Sequence, residues 1–357
     1  MIEKFLKAEK EAINKELIEY FTYLNEGEEE ILLKDFFAQL QEFILNKKAK
    51  RLHPIILIAA FVGIVNPVKL NNQIDQIRKI SLAVELLHSG HLIHDDLLDE
   101  DVERRSKPTF HVQLKNELNK VYDNLEIHNK NELIQMYGRD MSILGGTQGY
   151  LLGLNVIKSS RFSDNLKLLA INEYTEAMDN LMKGQIIEEY MNYHNITMSL
   201  EQYLIIAEMQ RASLLEKSAK IGAILAKGNN HYQINPLSKA INLMGQAFAI
   251  RDDMLDLASD IKARKKKIIY IFAVQNTDEE QSKTLNEIYH LNELSKNDVK
   301  TVETIFTETN AVIIAEHFSK NLINQAKEYL KNIYPDLNKN QKTFFNEFSD
   351  YMYMRDF

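Results

Sequence analysis

Apolar residues recur every three or four positions along most of the chain, the spacing of one face of an α-helix. In segment 72–98 this stripe consists of Ile74, Ile77, Ile80, Val84 and Leu87. Similar stripes occur in three further segments: 163–195, 198–227 and 236–258. No run shows the alternation of a half-buried strand. The pattern predicts an all-α fold, with one large domain over residues 1–357 and roughly a dozen helices.

Residues that end helices are scarce, with only 12 Gly and 5 Pro in the chain. Breaks are expected at four places: Asn66-Pro67, Lys107-Pro108, Gly228-Asn229-Asn230 and Asn235-Pro236. The polar stretch from Asn116 to Glu132 is expected to form a loop, or a helix with a surface insertion. The scarcity of breakers favours long helices with few tight turns.

Composition removes several classes of function. The absence of Cys excludes disulfides, thiolate metal sites and Cys nucleophiles. A net charge of −8 argues against non-specific binding to nucleic acid. Charged residues interrupt the first 21 positions, and no stretch has the ~20 uncharged apolar residues of a membrane helix. We therefore expect a soluble, cytoplasmic protein.

The first candidate site is an acidic cluster at the end of the 72–98 stripe. Residues 91–99 read His-Leu-Ile-His-Asp-Asp-Leu-Leu-Asp, so Asp95 and Asp99 lie one helical turn apart. His88 and His91 occupy the preceding turns of that face. Paired carboxylates bind hard cations such as Mg²⁺, which can bridge them to phosphate oxygens. A solvated acidic helix end is the alternative, but it does not explain why the acids end an apolar segment.

A second acidic cluster repeats this arrangement about 157 residues later. Asp252, Asp253 and Asp256 end another apolar helical run, which begins near Gly245. One such cluster is weak evidence, whereas two in the same context predict facing carboxylate pairs that hold Mg²⁺ around a diphosphate. Mg²⁺ is therefore the expected cofactor.

Three basic clusters accompany the acidic ones. They are Lys47, Lys48, Lys50 and Arg51 before His53-Pro54; Arg104-Arg105; and the basic residues between Lys262 and Lys267. Each alone is typical of a solvated surface. Together they would supply charge-assisted contacts to a second diphosphate.

In combination, these motifs resemble the two aspartate-rich regions of the trans-isoprenyl diphosphate synthases, the polyprenyl synthase family. The first region is followed by Arg104-Arg105 and Pro108-Thr109, a highly specific pattern, and the later half most resembles short-chain and geranylgeranyl diphosphate synthases. The resemblance implies a helical bundle of the isoprenoid synthase type with a central cavity. It also implies condensation of isopentenyl diphosphate with an allylic diphosphate, giving a linear (E)-prenyl diphosphate, with geranylgeranyl diphosphate the expected product. A homodimer, or a heterodimer with a related subunit, is expected.

The resemblance assigns roles to individual residues. The catalytic aspartates would be Asp95, Asp96, Asp99, Asp252 and Asp253. The metal ligands would be Asp95, Asp99, Asp252, Asp256 and Glu188. The residues at the allylic diphosphate would be Arg104, Gln210, Arg211 and Lys265. Those at isopentenyl diphosphate would be Lys50, Arg51, His53, His88, Arg105, Phe248 and Arg355, and those that set product length would be Val84, Leu87, Gly90 and His91.

Several positions depart from the family pattern. His53 replaces an arginine that binds isopentenyl diphosphate, Gln210-Arg211 replaces a Lys-Thr pair, and Ala249 replaces a glutamine. These changes leave open a weakly active or non-catalytic partner subunit, although all six motif aspartates are retained. A remote alternative is an HD-type metal-dependent phosphohydrolase built on His53 and His94-Asp95, which leaves Arg104-Arg105 and the second acidic cluster unexplained.

Overall fold

The computed structural model describes residues 2–123, 125–126, 128–194 and 196–354, and within them the predicted all-α fold is confirmed. The helices are α1 (Ile2–Gly27), α2 (Ile31–Ile44), α3 (Leu52–Ile64), α4 (Pro67–Leu98), α5 (Phe110–Tyr122), α6 (Lys130–Ser159), α7 (Asp164–Tyr193), α8 (Leu200–Ala207), α9 (Ser213–Leu225), α10 (Asn235–Leu255), α11 (Leu257–Ala263), α12 (Ile268–Asn276), α13 (Glu279–Tyr289), α14 (Lys296–Glu308), α15 (Ala311–Lys331) and α16 (Lys339–Met354). Two π-helical turns cover Glu208–Ala212 and Asn230–Ile234, and the strands are β1 (Glu103–Arg104) and β2 (Lys107–Pro108).

The chain divides into two compact units. The first comprises Met1–Met178 and Ile221–Gly228, and the second comprises Asp179–Lys220 and Asn229–Phe357. The expected single domain over residues 1–357 stays a prediction.

In the first unit, α4 carries the first acidic cluster at its carboxyl end. Asn66 caps its start by accepting a hydrogen bond from the Val68 backbone N–H, and Pro67 occupies the first turn, where its missing N–H costs nothing. The preceding helix α3 is buried all round from Pro54 to Gly63, as expected of a central core helix.

Close packing against α6 fixes the direction of α4. A Cβ atom on Gly90 would lie 2.5 Å from the carbonyl oxygen of Gly146, so only glycine allows this approach. One turn later, His94 places Nε2 3.0 Å from the Ile143 carbonyl oxygen and Nδ1 3.2 Å from the Tyr150 hydroxyl. The α6 side of α4 therefore includes Gly90 and His94.

In the second unit, α10 carries the second acidic cluster. It packs against α15 and α16, whose buried phenylalanines Phe344, Phe345 and Phe348 contribute to the core. Gly245 of α10 approaches the first π-helical turn so closely that a Cβ atom there would lie 2.5 Å from the Ala212 Cα. This contact sets the last turns of α10 beside Gln210 and Arg211.

The polar stretch from Asn116 to Glu132 is helical up to Tyr122 and again from Lys130, so only its middle forms a connection. The strands β1 and β2 pair as an antiparallel hairpin. They were not predicted, because two residues are too few to show alternation. No helix in the described residues has the length and apolar character needed to cross a membrane.

Candidate active site

The first acidic cluster lies where α4 ends. The Asp99 backbone N–H donates to the Asp95 carbonyl at 2.9 Å, which confirms that the two residues are one turn apart. Asp95 is half-buried and Asp99 is exposed, whereas Asp96 is fully buried. Asp95 and Asp99 are thus the members of the cluster that a ligand can reach.

Arg104 lies on this cluster, because the hairpin folds back over the end of α4. Its Nε donates to the Asp96 carboxylate, and its Nη2 lies 3.3 Å from Asp95 and 3.7 Å from Asp101. The guanidinium therefore contacts three carboxylates. Its predicted contact with the allylic diphosphate stays a prediction.

Asp96 is the least solvated of these carboxylates. Burial raises its pKa to about 7, although the adjacent Arg104 opposes the increase. Its Oδ2 is buried and accepts no hydrogen bond from any residue that the structure describes. A carboxylate in this condition gains stability when further positive charge arrives beside it.

Arg51, in the basic segment before α3, is committed to the fold. It adopts a left-handed conformation with φ of 60° and is only 2% exposed. Its Nη1 pairs with buried Glu85, Nη2 donates to the Ile44 carbonyl at 2.7 Å, and Nε donates to Asn14 at 2.9 Å. With all three nitrogens engaged, Arg51 is better suited to positioning Lys50 and His53 than to contacting a substrate.

The imidazole rings of His53 and His88 are in contact in a tilted arrangement, with their centroids 4.3 Å apart and their planes inclined by 46°. Both are half-buried. Burial lowers the pKa of His53 to about 4 and that of His88 well below its usual range, and the positive charge of Arg105 lowers both further. At neutral pH these are two uncharged imidazoles beside an arginine.

The residues predicted to set product length do not share one environment. Val84 and Leu87 are almost completely buried, and His91 is 8% exposed on the same stripe of α4. Gly90 instead faces α6, where the Gly146 carbonyl leaves no room for a side chain. A bulky residue at position 90 would displace α6, so any change in product length that it caused could not be attributed to the depth of the cavity alone.

In the second unit, Asp252 lies half-buried in the last turn of α10, and Asp256 is exposed just after it. Burial raises the pKa of Asp252 to about 7. The positive charges of Arg211 and Lys267 oppose this increase, and the neighbouring aspartates add to it. Like Asp96, Asp252 lacks sufficient compensating charge.

Asp253 is fully engaged by residues that the sequence did not single out. Its Oδ2 accepts a hydrogen bond of 2.7 Å from the Tyr203 hydroxyl, and its Oδ1 lies 3.1 Å from the Lys267 ammonium. Lys267 also lies 3.3 Å from Asp260. Lys265, which was predicted to contact the allylic diphosphate, is instead exposed, at a small cavity shared with Lys267. The run of lysines was visible, but the sequence does not show which of them turns inward.

Gln210 lies in the first π-helical turn, a feature frequent at functional sites. Its Nε2 donates to Glu188 at 2.8 Å and to Gln185 at 3.2 Å. Phe248 is half-buried and Ala249 buried on α10. Arg355 lies outside the described residues.

These donors fit Mg²⁺ in kind. All are carboxylate oxygens, and each cluster contains one whose pKa burial raises to about 7. Among the described residues, no three His, Asp or Glu side chains lie close enough to hold a metal ion on their own. Mg²⁺ commonly uses only one or two carboxylates and completes its coordination with substrate phosphates and water.

The family model for polyprenyl synthetase matches residues 34–308, more than three quarters of the chain. The chain belongs to the polyprenyl synthetase family. This confirms the family and the prenyltransferase class predicted from the two acidic clusters, and it leaves no support for an HD-type phosphohydrolase. In that alternative, His94 would bind metal, yet both of its ring nitrogens contact α6.

Curated relatives include the short chain isoprenyl diphosphate synthase of Methanocaldococcus jannaschii, 29% identical over 74% of this chain and 75% of the relative. The geranylfarnesyl diphosphate synthase of Aeropyrum pernix is 25% identical, over 87% and 92% of the two chains. Among solved structures, geranylgeranyl pyrophosphate synthase from Corynebacterium glutamicum, complexed with isoprenyl diphosphate and magnesium, superimposes with a TM-score of 0.84 at 18% identity over 100% of both chains. That structural likeness confirms the fold.

Proposed function

We propose that the protein is an active, Mg²⁺-dependent trans-prenyltransferase that condenses isopentenyl diphosphate with an allylic diphosphate. The observation that carries this proposal is the pair of acidic clusters, each ending an apolar helix and each holding a poorly compensated carboxylate, Asp96 and Asp252. A cation bound beside either cluster would offset the cost of keeping that carboxylate ionised.

The expected metal ligands are those that solvent reaches at the two helix ends, Asp95 with Asp99 and Asp252 with Asp256, assisted by Glu188. These residues would hold Mg²⁺, which would supply Lewis-acid neutralisation of the leaving diphosphate. Asp96 and Asp253 have a different task, because Arg104 and Lys267 with Tyr203 hold them in place. We expect them to orient the helix ends.

The remaining chemistry needs no side-chain nucleophile. The allylic C–O bond breaks, the alkene of isopentenyl diphosphate forms a bond to the allylic carbon, and a proton leaves the new chain for the departing diphosphate. Water would quench the allylic cation, so the apolar wall of Val84 and Leu87 would keep the reacting carbons dry.

Geranylgeranyl diphosphate is the product that we propose. Leu87 lies eight residues before Asp95, about 12 Å along α4, and Val84 lies one turn further. Since one turn spans about 5.4 Å, close to one isoprene unit, a wall at this depth favours four units over three. The named relatives differ in product length, so this part of the proposal needs a direct measurement.

The alternative is a partner subunit that is active only with a related chain. It is favoured by the replacement of three diphosphate ligands, at His53, Gln210 and Ala249. Retention of all six motif aspartates argues against it, because an idle site has no need of them.

Product analysis of the purified protein decides between these functions. The protein receives Mg²⁺, labelled isopentenyl diphosphate and one allylic starter at a time, and the dephosphorylated alcohols are separated by chromatography. Product from the single chain supports the proposal. Product only after addition of a related subunit would favour the alternative, and no product in either case would overturn both.

A further inference from the structure

The His53–His88 pair occupies the part of the first unit where basic residues gather. The two rings come from the start of α3 and from the second half of α4, and their centroids lie 4.3 Å apart with the planes tilted by 46°. Both side chains remain half-buried. Charged groups rather than apolar ones surround the pair, and both rings keep part of their surface exposed to solvent.

The charged and titratable groups around the pair come from three elements. They are Glu85 and His91 on α4, Arg104 and Arg105 in the hairpin, and Arg51 at the start of α3. Arg51 and Glu85 form a buried ion pair and largely cancel one another. Lys10 of α1 also lies near this cluster. Burial is the main cause that lowers its pKa, and the positive charges of Arg51 and Arg105 lower it further. The net surroundings of the two rings are positive.

This environment keeps both imidazoles neutral, with the pKa of His53 near 4 and that of His88 well below its usual range. Burial and the arginine charges oppose protonation, and each ring opposes protonation of the other. A diphosphate bound against the cluster reverses the sign of the local field. Since two stacked imidazolium rings repel, the pair would then accept one proton rather than two.

We propose that the His53–His88 pair takes up one proton from solvent when the diphosphate of isopentenyl diphosphate binds beside it. The inference rests on the proposed function, which supplies the ligand. In the resembling enzymes an arginine stands at position 53 and brings a permanent charge. Here the charge arrives with the ligand, so binding weakens as pH rises.

The balance is simple. Free protein, isopentenyl diphosphate and one solvent proton give a complex in which the pair carries a single positive charge. While the pH lies between the pKa of the free pair and that of the occupied pair, each pH unit raises the Kd about tenfold. The diphosphate itself also titrates, so its own contribution has to be subtracted.

The test is isothermal titration calorimetry of isopentenyl diphosphate into the full chain, without an allylic substrate, in buffers of different ionisation enthalpy. The dependence of the observed heat on the buffer gives the number of protons taken up. His53→Arg is the matched reference, because the fixed charge of an arginine beside His88 opposes protonation of the remaining imidazole and takes the place of the proton that the pair would accept. We expect wild-type uptake to exceed that of His53→Arg by about one proton per ligand, and the Kd of the variant to depend less on pH.

Equal proton uptake in the wild type and His53→Arg would overturn the inference and leave the proposed function intact. Absence of binding by the wild type would overturn the proposed function, and the inference with it. Should His53→Arg not fold by circular dichroism, His53→Gln provides a second comparison. Its neutral amide should bind the ligand more weakly and with less proton uptake than the wild type. If His53→Gln takes up as many protons as the wild type, the proposed protonation of the His53–His88 pair would be overturned.

Discussion

The side-chain amide of Gln210 donates a hydrogen bond of 2.8 Å to the carboxylate of Glu188. The resemblance to the polyprenyl synthases implies a lysine at position 210 and an aspartate at position 188, so both residues depart from the expected pattern. An uncharged amide leaves the full negative charge on Glu188, whereas a lysine would share in neutralising it. The two departures therefore lie in contact with each other, and the acidic partner keeps its charge for a cation.

The first prediction is that Gln210→Lys strengthens binding of the allylic diphosphate. A charge-assisted hydrogen bond is worth ~1.5–3 kcal/mol, so the KM for the allylic substrate should fall roughly ten- to hundredfold. Steady-state kinetics at fixed isopentenyl diphosphate measures it. Gln210→Met, which has similar length and no charge, is the control and should not lower the KM. An unchanged KM in the lysine variant would mean that Glu188 absorbs the new charge.

The second prediction concerns the stability of the metal-free protein. The pKa of Asp252 rises from 3.8 to about 7 in the folded chain, so between these values the folded state binds more protons than the unfolded state. Stability from this group is therefore lost as pH rises from about 4 to about 7. The difference corresponds to a cost on the order of 4 kcal/mol at higher pH.

Asp252→Asn removes that cost, so the metal-free variant should melt several degrees above the wild type at pH 8 and close to it at pH 4. The same variant should lose activity. Thermal melts followed by circular dichroism in the presence of a chelator test the stability. A variant that is less stable than the wild type at pH 8 would show that Arg211 and Lys267 already compensate the charge.

The third prediction is that Asp95→Ala abolishes turnover and preserves the fold. The half-buried Asp95 lies in the last turn of α4, where its loss removes a proposed metal ligand without opening a core cavity. Condensation assays and circular dichroism measure the two effects. Asp140→Ala, at an exposed position on α6, serves as the control and should keep normal activity. Normal rates in Asp95→Ala would rule out a metal site at this end of α4.

Much of the fold and of the site follows from local pattern. Helices and the one-turn spacing of Asp95 and Asp99 depend on residues near in sequence, so periodicity predicts them. The structural role of Arg51 could not be predicted in this way, because its partners Asn14 and Glu85 are each more than 30 residues away in the sequence. Likewise, the resemblance placed Gly90 among the residues that set product length, but packing against α6 decides where that position faces.

The fourth prediction follows from Lys267, whose role the sequence left undecided within a run of lysines. Since its ammonium lies 3.1 Å from Asp253, Lys267→Met should free that carboxylate and lower kcat at least tenfold. Lys262→Met removes an equal charge from an exposed lysine in α11, to which no site role is assigned, and should have a smaller effect. Parallel kinetics of the two variants, with Lys267→Arg as a partial rescue, tests this. An equal loss of kcat in both methionine variants would indicate that the net charge of this basic segment matters, rather than the contact between Lys267 and Asp253.

The last prediction concerns product length, and α4 provides its own control. Leu86 and Leu87 are both fully buried, but they point about 100° apart around the helix. Leu86 lies one turn before Gly90, on the side that packs against α6, whereas Leu87 lies on the stripe that continues through His91 to Asp95. If the growing chain runs along that stripe, Leu87→Ala should lengthen the product by about one isoprene unit.

Leu86→Ala removes the same atoms, so both variants should lose ~2–5 kcal/mol of stability. Only Leu87→Ala should change the product, and this separates cavity depth from general loosening of the core. Chromatography of the dephosphorylated alcohols shows the chain lengths, and thermal melts confirm matched stability. Longer products from both variants would indicate that loosened packing sets the length, whereas an unchanged product from Leu87→Ala would place the end of the cavity on another helix.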